Sequence, residues 1–142
     1  MIIADTGVWV GLADSRDINH EICRRFFRKN REALITTFPV LTEAVHLLFQ
    51  RVGVSMTLAW LDTIETQGIC LFQLEPSHLI RARELMRHYA DLPMDLADAS
   101  LVILAEHLGH GRIVSTDRRD FHTYRWKNHQ PFCNLLETVL CQ

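Results

Sequence analysis

The sequence predicts a three-layer α/β/α sandwich built around a mostly parallel sheet. Short apolar segments that fit buried strands alternate along the chain with longer amphipathic segments that fit helices. Parallel strands need crossover connections of this kind, and the helices then cover both faces of the sheet. The chain has 142 residues, and no repeat, low-complexity tract or flexible linker divides it. We therefore expect residues 1–142 to form a single domain.

The first half of the chain is predicted to contain two strands and four helices. Asp17 is suited to capping a helix, Pro39 is suited to a first helical turn, and Gly68 is suited to ending a helix. The expected elements are a strand at 2–4, a short helix through Trp9 and Leu12, a helix containing Ile22, Phe26 and Phe27, a strand at 33–36, a helix from Pro39 through Phe49, and a helix from Ser55 to Gly68.

The second half is predicted to contain two more strands and two helices, followed by an ambiguous tail after Phe121. Leu92-Pro93 is expected to interrupt the chain between the two helices, and Gly109 is expected to end the second one. The expected elements are a strand at 69–74, a helix from Pro76 through Met86, a helix at Leu96–Leu108, a strand at 112–115, and one short edge strand near 124–126.

Charge and composition exclude several classes of protein. The 17 acidic and 15 basic side chains give a net charge of −2 and a pI near 6.4, which argues against a DNA-coating protein and a polybasic membrane anchor. An enzyme that contacts nucleic acid locally is not excluded. Asp5 precedes any signal-peptide core, and the longest apolar stretch, at 96–108, is too short to span a bilayer. We therefore expect a cytoplasmic protein.

The cysteines are too sparse for a disulfide scaffold. They are widely spaced and form no C-x-x-C pair. We expect free thiols in a reducing cytosol. The residues concerned are Cys23, Cys70, Cys133 and Cys141.

Four acidic residues are predicted to meet at one edge of the sheet. In a right-handed strand–helix–strand unit, the carboxyl end of a strand lies beside the first turn of the next helix. Open α/β sheets bind ligands at this edge. Each of the four acids ends a strand or lies near the start of a helix: Asp5 follows the first strand, Glu43 follows the second, Asp98 lies in the helix before the fourth strand, and Asp117 follows the fourth.

Asp98 is the most informative of these acids. Leu101, Val102 and Ala105 form an apolar stripe that places Asp98 on the helix face directed at the sheet. Burying a carboxylate there is costly unless it is paired or bound to a cation. The alternative is an acid that caps the helix or stabilises its dipole, a role that Asp95 fits better.

The other three acids also have structural alternatives. Asp5 is equally suited to capping the helix that follows it. Glu43 shares a polar stripe with His46, which is typical of a solvated helix face. Asp117 is suited to beginning a turn, with Asp120 making a second bond from side chain to backbone.

A cluster of carboxylates predicts a hard divalent cation. Neighbouring carboxylates repel one another unless a cation offsets their charge, and oxygen ligands favour Mg²⁺ or Mn²⁺. Such an ion can activate a water molecule and orient a phosphate for in-line attack. Zinc is not expected, because no H-E-x-x-H helix occurs and His107 and His110 lie on either side of the helix end at Gly109.

Each of the four acids lies in a short segment of its own. The segments are Ile2-Ile3-Ala4-Asp5-Thr6, Thr42-Glu43-Ala44, Leu96-Ala97-Asp98-Ala99 and Val114-Ser115-Thr116-Asp117, with Asp120-Phe121 just after the last. Together and in this order they resemble the PIN-domain family, and most closely its VapC ribonuclease toxins of toxin–antitoxin pairs. The resemblance extends from the first strand to about Asn134.

The resemblance implies a fold, a reaction and partners. It implies a central parallel sheet in which the first and fourth strands are adjacent. The family's acids ligate Mg²⁺ or Mn²⁺ and hydrolyse RNA with an activated water, leaving 5′-phosphate and 3′-hydroxyl ends. Carried over, Asp5 and Asp98 hold the principal ion, and Glu43 and Asp117 ligate it directly or through water. The implied partners are RNA, a second copy of the chain and a VapB-like antitoxin.

Other residues are candidates for supporting roles. Thr6 and Thr116 match hydroxyl positions that often line the site in the family, while Asp95 is an extra acid whose role as support or cap is open. Arg118 and Arg119 follow the fourth acid directly and are the candidate phosphate contacts. The alternative to a nuclease is a catalytically silent PIN-like module that binds RNA or a protein partner.

Overall fold

The computed structural model describes residues 1–140 and contains a five-stranded parallel sheet. Its strands are β1 (Ile2–Ala4), β2 (Leu34–Thr37), β3 (Cys70–Phe72), β4 (Arg112–Val114) and β7 (Cys133–Asn134), and a separate hairpin contains β5 (Arg125–Trp126) and β6 (Gln130–Pro131). The order in the sheet is β3-β2-β1-β4-β7, and every neighbouring pair is parallel. The adjacency expected for the first and fourth strands is thus present.

Helices flank this sheet and complete the α/β/α architecture that the sequence predicts. Most of them lie between consecutive parallel strands, as crossover connections require. They are α1 (Thr6–Ala13), α2 (His20–Lys29), α3 (Phe38–Arg51), α4 (Gly53–Thr66), α5 (His78–His88), α6 (Leu96–Leu108), α7 (Arg118–Thr123) and α8 (Leu135–Leu140).

The core is built on the three inner strands, β2, β1 and β4, and on α6. The side chains of β1 are buried, as are Ile113 and Val114 of β4. Helix α6 packs against β1, β2 and α3. It begins where Asp95 caps its first turn, and it ends at Gly109, whose φ of 75° is the left-handed conformation of a glycine stop. The first turn of α6 therefore lies at the carboxyl edge of the sheet.

The expectation that Asp17 caps the second helix is wrong. The N-cap of α2 is Asn19, whose side chain makes no capping bond. Asp17 instead accepts the backbone N–H of Asn19 at 2.8 Å in the turn before the helix, and it pairs with Arg51 at 2.8 Å. An Asx-type turn satisfies this aspartate two residues before the helix starts.

Several other boundaries are shifted by one or two residues. Helix α4 begins at Gly53 rather than at Ser55, and α5 begins at His78, after a turn that contains Pro76. The second strand is shifted by one residue, and the third is shorter than its apolar run. Apolar patterns continue past the last ladder hydrogen bond, which explains why the pattern overestimates strand length.

The tail prediction is wrong in its topology. The strand at 125–126 exists, but it pairs with β6 in an antiparallel hairpin and not with the main sheet. The turn of this hairpin uses Lys127 and Asn128 at φ values of 48° and 65°, without the glycine that usually marks such turns. The edge strand is β7, which pairs with β4, and α7 and α8 were not expected.

The state of the cysteines and the lengths of the helices complete the description of the fold. Cys23, Cys70 and Cys133 are free thiols, while Cys141 lies outside the described residues. No helix in the described part of the chain is long and apolar enough to cross a bilayer.

Helix α1 approaches the turn after β4 so closely that only glycine fits at its second position. A Cβ added to Gly7 would overlap Thr116 Oγ1 and would lie 3.2 Å from Thr116 Cβ. Gly7 therefore brings the first turn of α1 against the segment that carries Asp117.

We expect Gly7→Ala to destabilise the protein by about 1–3 kcal/mol, because the added methyl group forces Thr116 out of its place. Removing the overlapping hydroxyl should relieve this cost. Thr116→Ala combined with Gly7→Ala should therefore be less destabilised than the two single changes added together. Urea unfolding of the four proteins measures this coupling, and strict additivity would show that the contact does not limit position 7.

Candidate functional site

All four of the acids singled out by sequence line one open cavity at the carboxyl edge of the sheet. The cavity has a volume of about 590 Å³. Asp5 and Asp117 follow the hydrogen-bonded neighbours β1 and β4, Asp98 lies in the first turn of α6, and Glu43 lies in α3. The topology thus brings together side chains that are far apart in sequence.

Asp5 is a helix cap and a cavity residue at the same time. Its side chain is buried, its Oδ1 accepts the Thr6 N–H at 2.7 Å, and its Oδ2 accepts the Ser115 hydroxyl at 2.7 Å. Burial raises the pKa of Asp5 to about 6, although these two hydrogen bonds oppose the shift. The charges of Asp117 and Asp95 raise it further. The capping alternative is therefore compatible with a role in the cavity.

Asp98 and Asp95 form a reciprocal capping box at the start of α6. Asp95 Oδ1 accepts the Asp98 N–H at 2.8 Å, and Asp98 Oδ2 accepts the Asp95 N–H at 3.5 Å. Asp98 Oδ2 also accepts the hydroxyl of Tyr124 at 3.2 Å. Burial raises the pKa of Asp98 to about 8, and the charges of Asp5 and Asp95 add to this shift.

Glu43 is half-buried and lines the cavity, whereas His46, its neighbour on the expected polar stripe, is exposed. Burial raises the pKa of Glu43 to about 7, and the nearby Asp95 carboxyl raises it further through repulsion. Asp95 is thus both the cap of α6 and a close neighbour of Glu43.

Asp117 begins α7, as its turn-forming alternative suggested. Its Oδ1 accepts the Asp120 N–H at 3.2 Å, and its own N–H donates to Ser115 Oγ at 3.0 Å. Partial burial raises its pKa, and the Asp120 carboxyl adds to the shift. Asp117 is the most exposed of the four acids.

The cavity has many more negative groups than positive ones. Seven carboxyl groups and two guanidinium groups line it, and those of Arg51 and Arg119 are already paired with Asp17 and Asp120. The other five carboxyl groups have no ion-pair partner among the described residues. They belong to Asp5, Glu43, Asp95, Asp98 and Asp117, which we call the acidic cluster.

The donor chemistry of the acidic cluster fits a hard divalent cation. It supplies carboxylate oxygens, and the hydroxyl Oγ1 of Thr6 beside it is buried without a hydrogen-bond partner. In the described residues no three His, Cys, Asp or Glu side chains converge closely enough to hold an ion as they stand. Closing a shell around an ion would therefore require the carboxylates to move closer together.

The supporting residues expected from sequence differ in their positions. Thr6, Thr116 and Arg119 line the cavity. Arg118 is exposed and does not line it. The structure thus favours Arg119 over Arg118 as the basic group at the cavity.

Ser115 is a site residue that sequence reasoning missed. Its hydroxyl donates to Asp5 and accepts from the backbone of Asp117, so it links the two strand ends. Its own backbone is held by Asn134, which accepts the Ser115 N–H at 3.1 Å and donates to the Ser115 carbonyl at 2.8 Å. The sequence feature that could have identified Ser115 is its position directly after a buried strand and one residue before Thr116.

Comparison with known proteins gives consistent matches. The model of the PIN domain family matches residues 2–127. The chain is 27% identical over 124 residues to "Ribonuclease VapC26" of Mycobacterium tuberculosis (strain ATCC 25618 / H37Rv), covering 87% of this chain and 92% of that protein. The crystal structure of Mycobacterium tuberculosis VapC20, described as a sarcin-ricin loop cleaving toxin, superposes with a TM-score of 0.77 at 18% identity, covering 84% of this chain and 92% of that chain. The latter similarity shows the fold.

Metal-free protein is expected to lose stability as the pH rises from about 5 to about 8. Folding raises the pKa values of Asp5, Glu43 and Asp98 to about 6, 7 and 8, so it favours their protonated forms. The resulting stability is complete below the unfolded-state pKa values near 4 and is lost as the pH passes the folded-state values. Asp98→Asn removes one such group, so its Tm should exceed that of the wild type increasingly, by at least about 2 °C at the upper pH.

Thermal unfolding in EDTA across this pH range measures the difference. Asp91→Asn is the matched control, because Asp91 is exposed and does not line the cavity. A difference in Tm between Asp98→Asn and the wild type that stays constant with pH would contradict the prediction.

Proposed function

The chain belongs to the PIN-domain family, and from this membership and its acidic cluster we propose that it is a Mg²⁺- or Mn²⁺-dependent endoribonuclease. The observation that carries the proposal is the group of five carboxyls without an ion-pair partner at the ligand-binding edge of the sheet. At neutral pH such a group must either keep protons or have its charge offset by a cation, and a bound divalent ion stabilises the charged form. The name of the relative VapC26 supports RNA as the substrate.

We assign Asp5 and Asp98 to the principal metal ion, with Glu43 and Asp117 as ligands directly or through water. A bound divalent ion supplies activation of water and stabilisation of the charge that develops on the phosphate. Ser115 holds the Asp5 carboxylate through the hydrogen bond that it donates, which leaves the carboxylate charged.

The basic side chain best placed for the RNA backbone is that of Arg119. Its side chain is 79% exposed, lies in the cavity lining and contacts Asp120 at 3.5 Å. An exposed pair of this kind is weak, so the guanidinium is free to exchange its partner for a phosphate oxygen. Arg51, by contrast, is engaged by Asp17 at 2.8 Å.

We also propose that the chain is a cytoplasmic toxin that forms a homodimer and pairs with a VapB-like antitoxin. The names of both relatives support the VapC class, and that of VapC20 includes the word toxin. Helix α4 exposes three large apolar side chains near its start, since Val54, Met56 and Leu58 are 59%, 54% and 52% exposed.

We expect Asp98→Asn to reduce Mn²⁺-dependent RNA cleavage more than about 100-fold, because it removes the charge of a principal ligand. The measurement is cleavage of a fluorescent RNA by proteins purified in parallel, with ends mapped for 5′-phosphate. Asp91→Asn, an exposed acid outside the cavity, should cleave like the wild type. Undiminished cleavage by Asp98→Asn would refute the assignment, and RNA binding by the wild type without cleavage would favour the silent PIN-like module.

Arg119→Ala should weaken RNA binding about fivefold, since one phosphate contact contributes about 1 kcal/mol. The slope of log affinity against log salt should fall by about 0.7 to 1. Arg118→Ala is the neighbouring control. Arg81→Ala is a remote control, because Arg81 donates from Nε and Nη2 to the two carboxylate oxygens of Glu106 at 2.9 Å and 2.8 Å. Binding measured in the Asp98→Asn background records these effects without cleavage, and equal losses in all three variants would count against Arg119.

A further inference from the structure

Tyr124 lies at the end of α7 with its ring held on several sides. The side chain of Tyr124 is fully buried, and the backbone N–H of Tyr124 donates to the Asp120 carbonyl at 2.8 Å. The ring centroids of Tyr89 and Phe121 lie 5.0 Å and 5.3 Å from that of Tyr124, both in edge-to-face arrangements. This packing fixes the direction of the phenol, because a ring enclosed in this way has little rotational freedom.

The hydroxyl of this fixed ring reaches into the acidic cluster. Tyr124 Oη donates to Asp98 Oδ2 at 3.2 Å. Asp98 Oδ2 also accepts the backbone N–H of Asp95 at 3.5 Å. Both donors therefore approach one side of the carboxylate, and Asp98 Oδ1 has no hydrogen-bond partner among the described residues.

We propose that Tyr124 is a positioning residue of the metal centre, which holds Asp98 by Oδ2 so that Oδ1 is presented to the divalent ion. Tyr124 acts through Asp98 and does not contact the ion or the RNA itself. The inference rests on the proposed function only in taking Asp98 as a metal ligand.

The physical reason for this role is the absence of any other side chain that fixes Asp98. No cation pairs with Asp98 among the described residues, and its capping bond to Asp95 is long. A neutral hydroxyl can orient the carboxylate without cancelling the charge that the ion requires. Donors behind a metal ligand commonly work in this way, and their loss weakens metal binding.

Tyr89 provides a matched control within the same aromatic group. Its ring packs on Tyr124, but its hydroxyl accepts the backbone N–H of Arg125 at 3.0 Å and contacts no carboxylate. Tyr89→Phe and Tyr124→Phe therefore remove the same atom from neighbouring rings. Only the second change removes a donor to Asp98.

The test is Mn²⁺ binding to metal-free protein by isothermal titration calorimetry, alongside the Mn²⁺ dependence of RNA cleavage. Tyr124→Phe should raise the Kd for Mn²⁺ about 10-fold, with cleavage at saturating Mn²⁺ remaining within about threefold of the wild type. Tyr89→Phe should leave the Kd unchanged. In the Asp98→Asn background, adding Tyr124→Phe should change the Kd less than about twofold, because the carboxylate that it holds is gone.

Unchanged Mn²⁺ affinity in Tyr124→Phe, or an equal loss in Tyr89→Phe, would overturn the inference. The experiment also distinguishes failure of the positioning role from failure of the proposed nuclease function. A wild type that binds Mn²⁺ without cleaving RNA, combined with weakened binding in Tyr124→Phe, would refute the nuclease and retain the positioning role. A wild type that does not bind Mn²⁺ would refute both.

A spectroscopic measurement covers the case in which Tyr124→Phe does not fold. The chain has two tyrosines, so fluorotyrosine-labelled Tyr89→Phe protein gives a single fluorine signal, from Tyr124. Mn²⁺ bound at Asp98 should broaden this signal strongly, while diamagnetic Mg²⁺ should leave it sharp. A signal that stays sharp when Mn²⁺ is bound would contradict the proposed position of Tyr124 beside the ion's ligand.

Discussion

Five carboxyl groups repel one another at the carboxyl edge of the parallel sheet, and the other contacts of the site are arranged around this repulsion. Strands β1 and β4 are hydrogen-bonded neighbours, and the capped start of α6 lies at the same edge, so the fold cannot separate these groups. The described residues provide no ion pair for them. They provide neutral donors instead, from Ser115, Tyr124 and helix N-termini, which orient the carboxylates without cancelling their charge.

The same constraint explains why the total charge of the chain is a poor guide to its ligand. A net charge of −2 is nearly neutral, yet the cavity is strongly negative, and most arginines lie outside it. A polyanionic substrate would be repelled by this cavity in the absence of metal. Divalent ions invert the local electrostatics, so substrate affinity and metal affinity are expected to depend on each other.

The fold and the meeting of the four acids at one edge of the sheet could be predicted because both follow from local patterns. Alternation of strands and helices determines a parallel sheet, and a parallel sheet places strand ends and helix starts at one edge. Capping a helix and lining the cavity are compatible, since helix N-termini lie at that edge: Asp5, Asp95 and Asp117 each do both. Ser115 and Tyr124 were missed because their contacts join residues 110 and 26 positions apart. The two-residue β7 strand has no periodicity to detect.

The position of a bound Mn²⁺ ion, found by anomalous diffraction from crystals grown without metal and then soaked, tests the central claim most directly. We expect the strongest anomalous peak inside the acidic cavity, with carboxylate oxygens of Asp5 and Asp98 within about 2.3 Å. A peak bound only by residues outside the acidic cluster, or an empty cavity in crystals that bind Mn²⁺ elsewhere, would contradict a metal centre at this edge of the sheet.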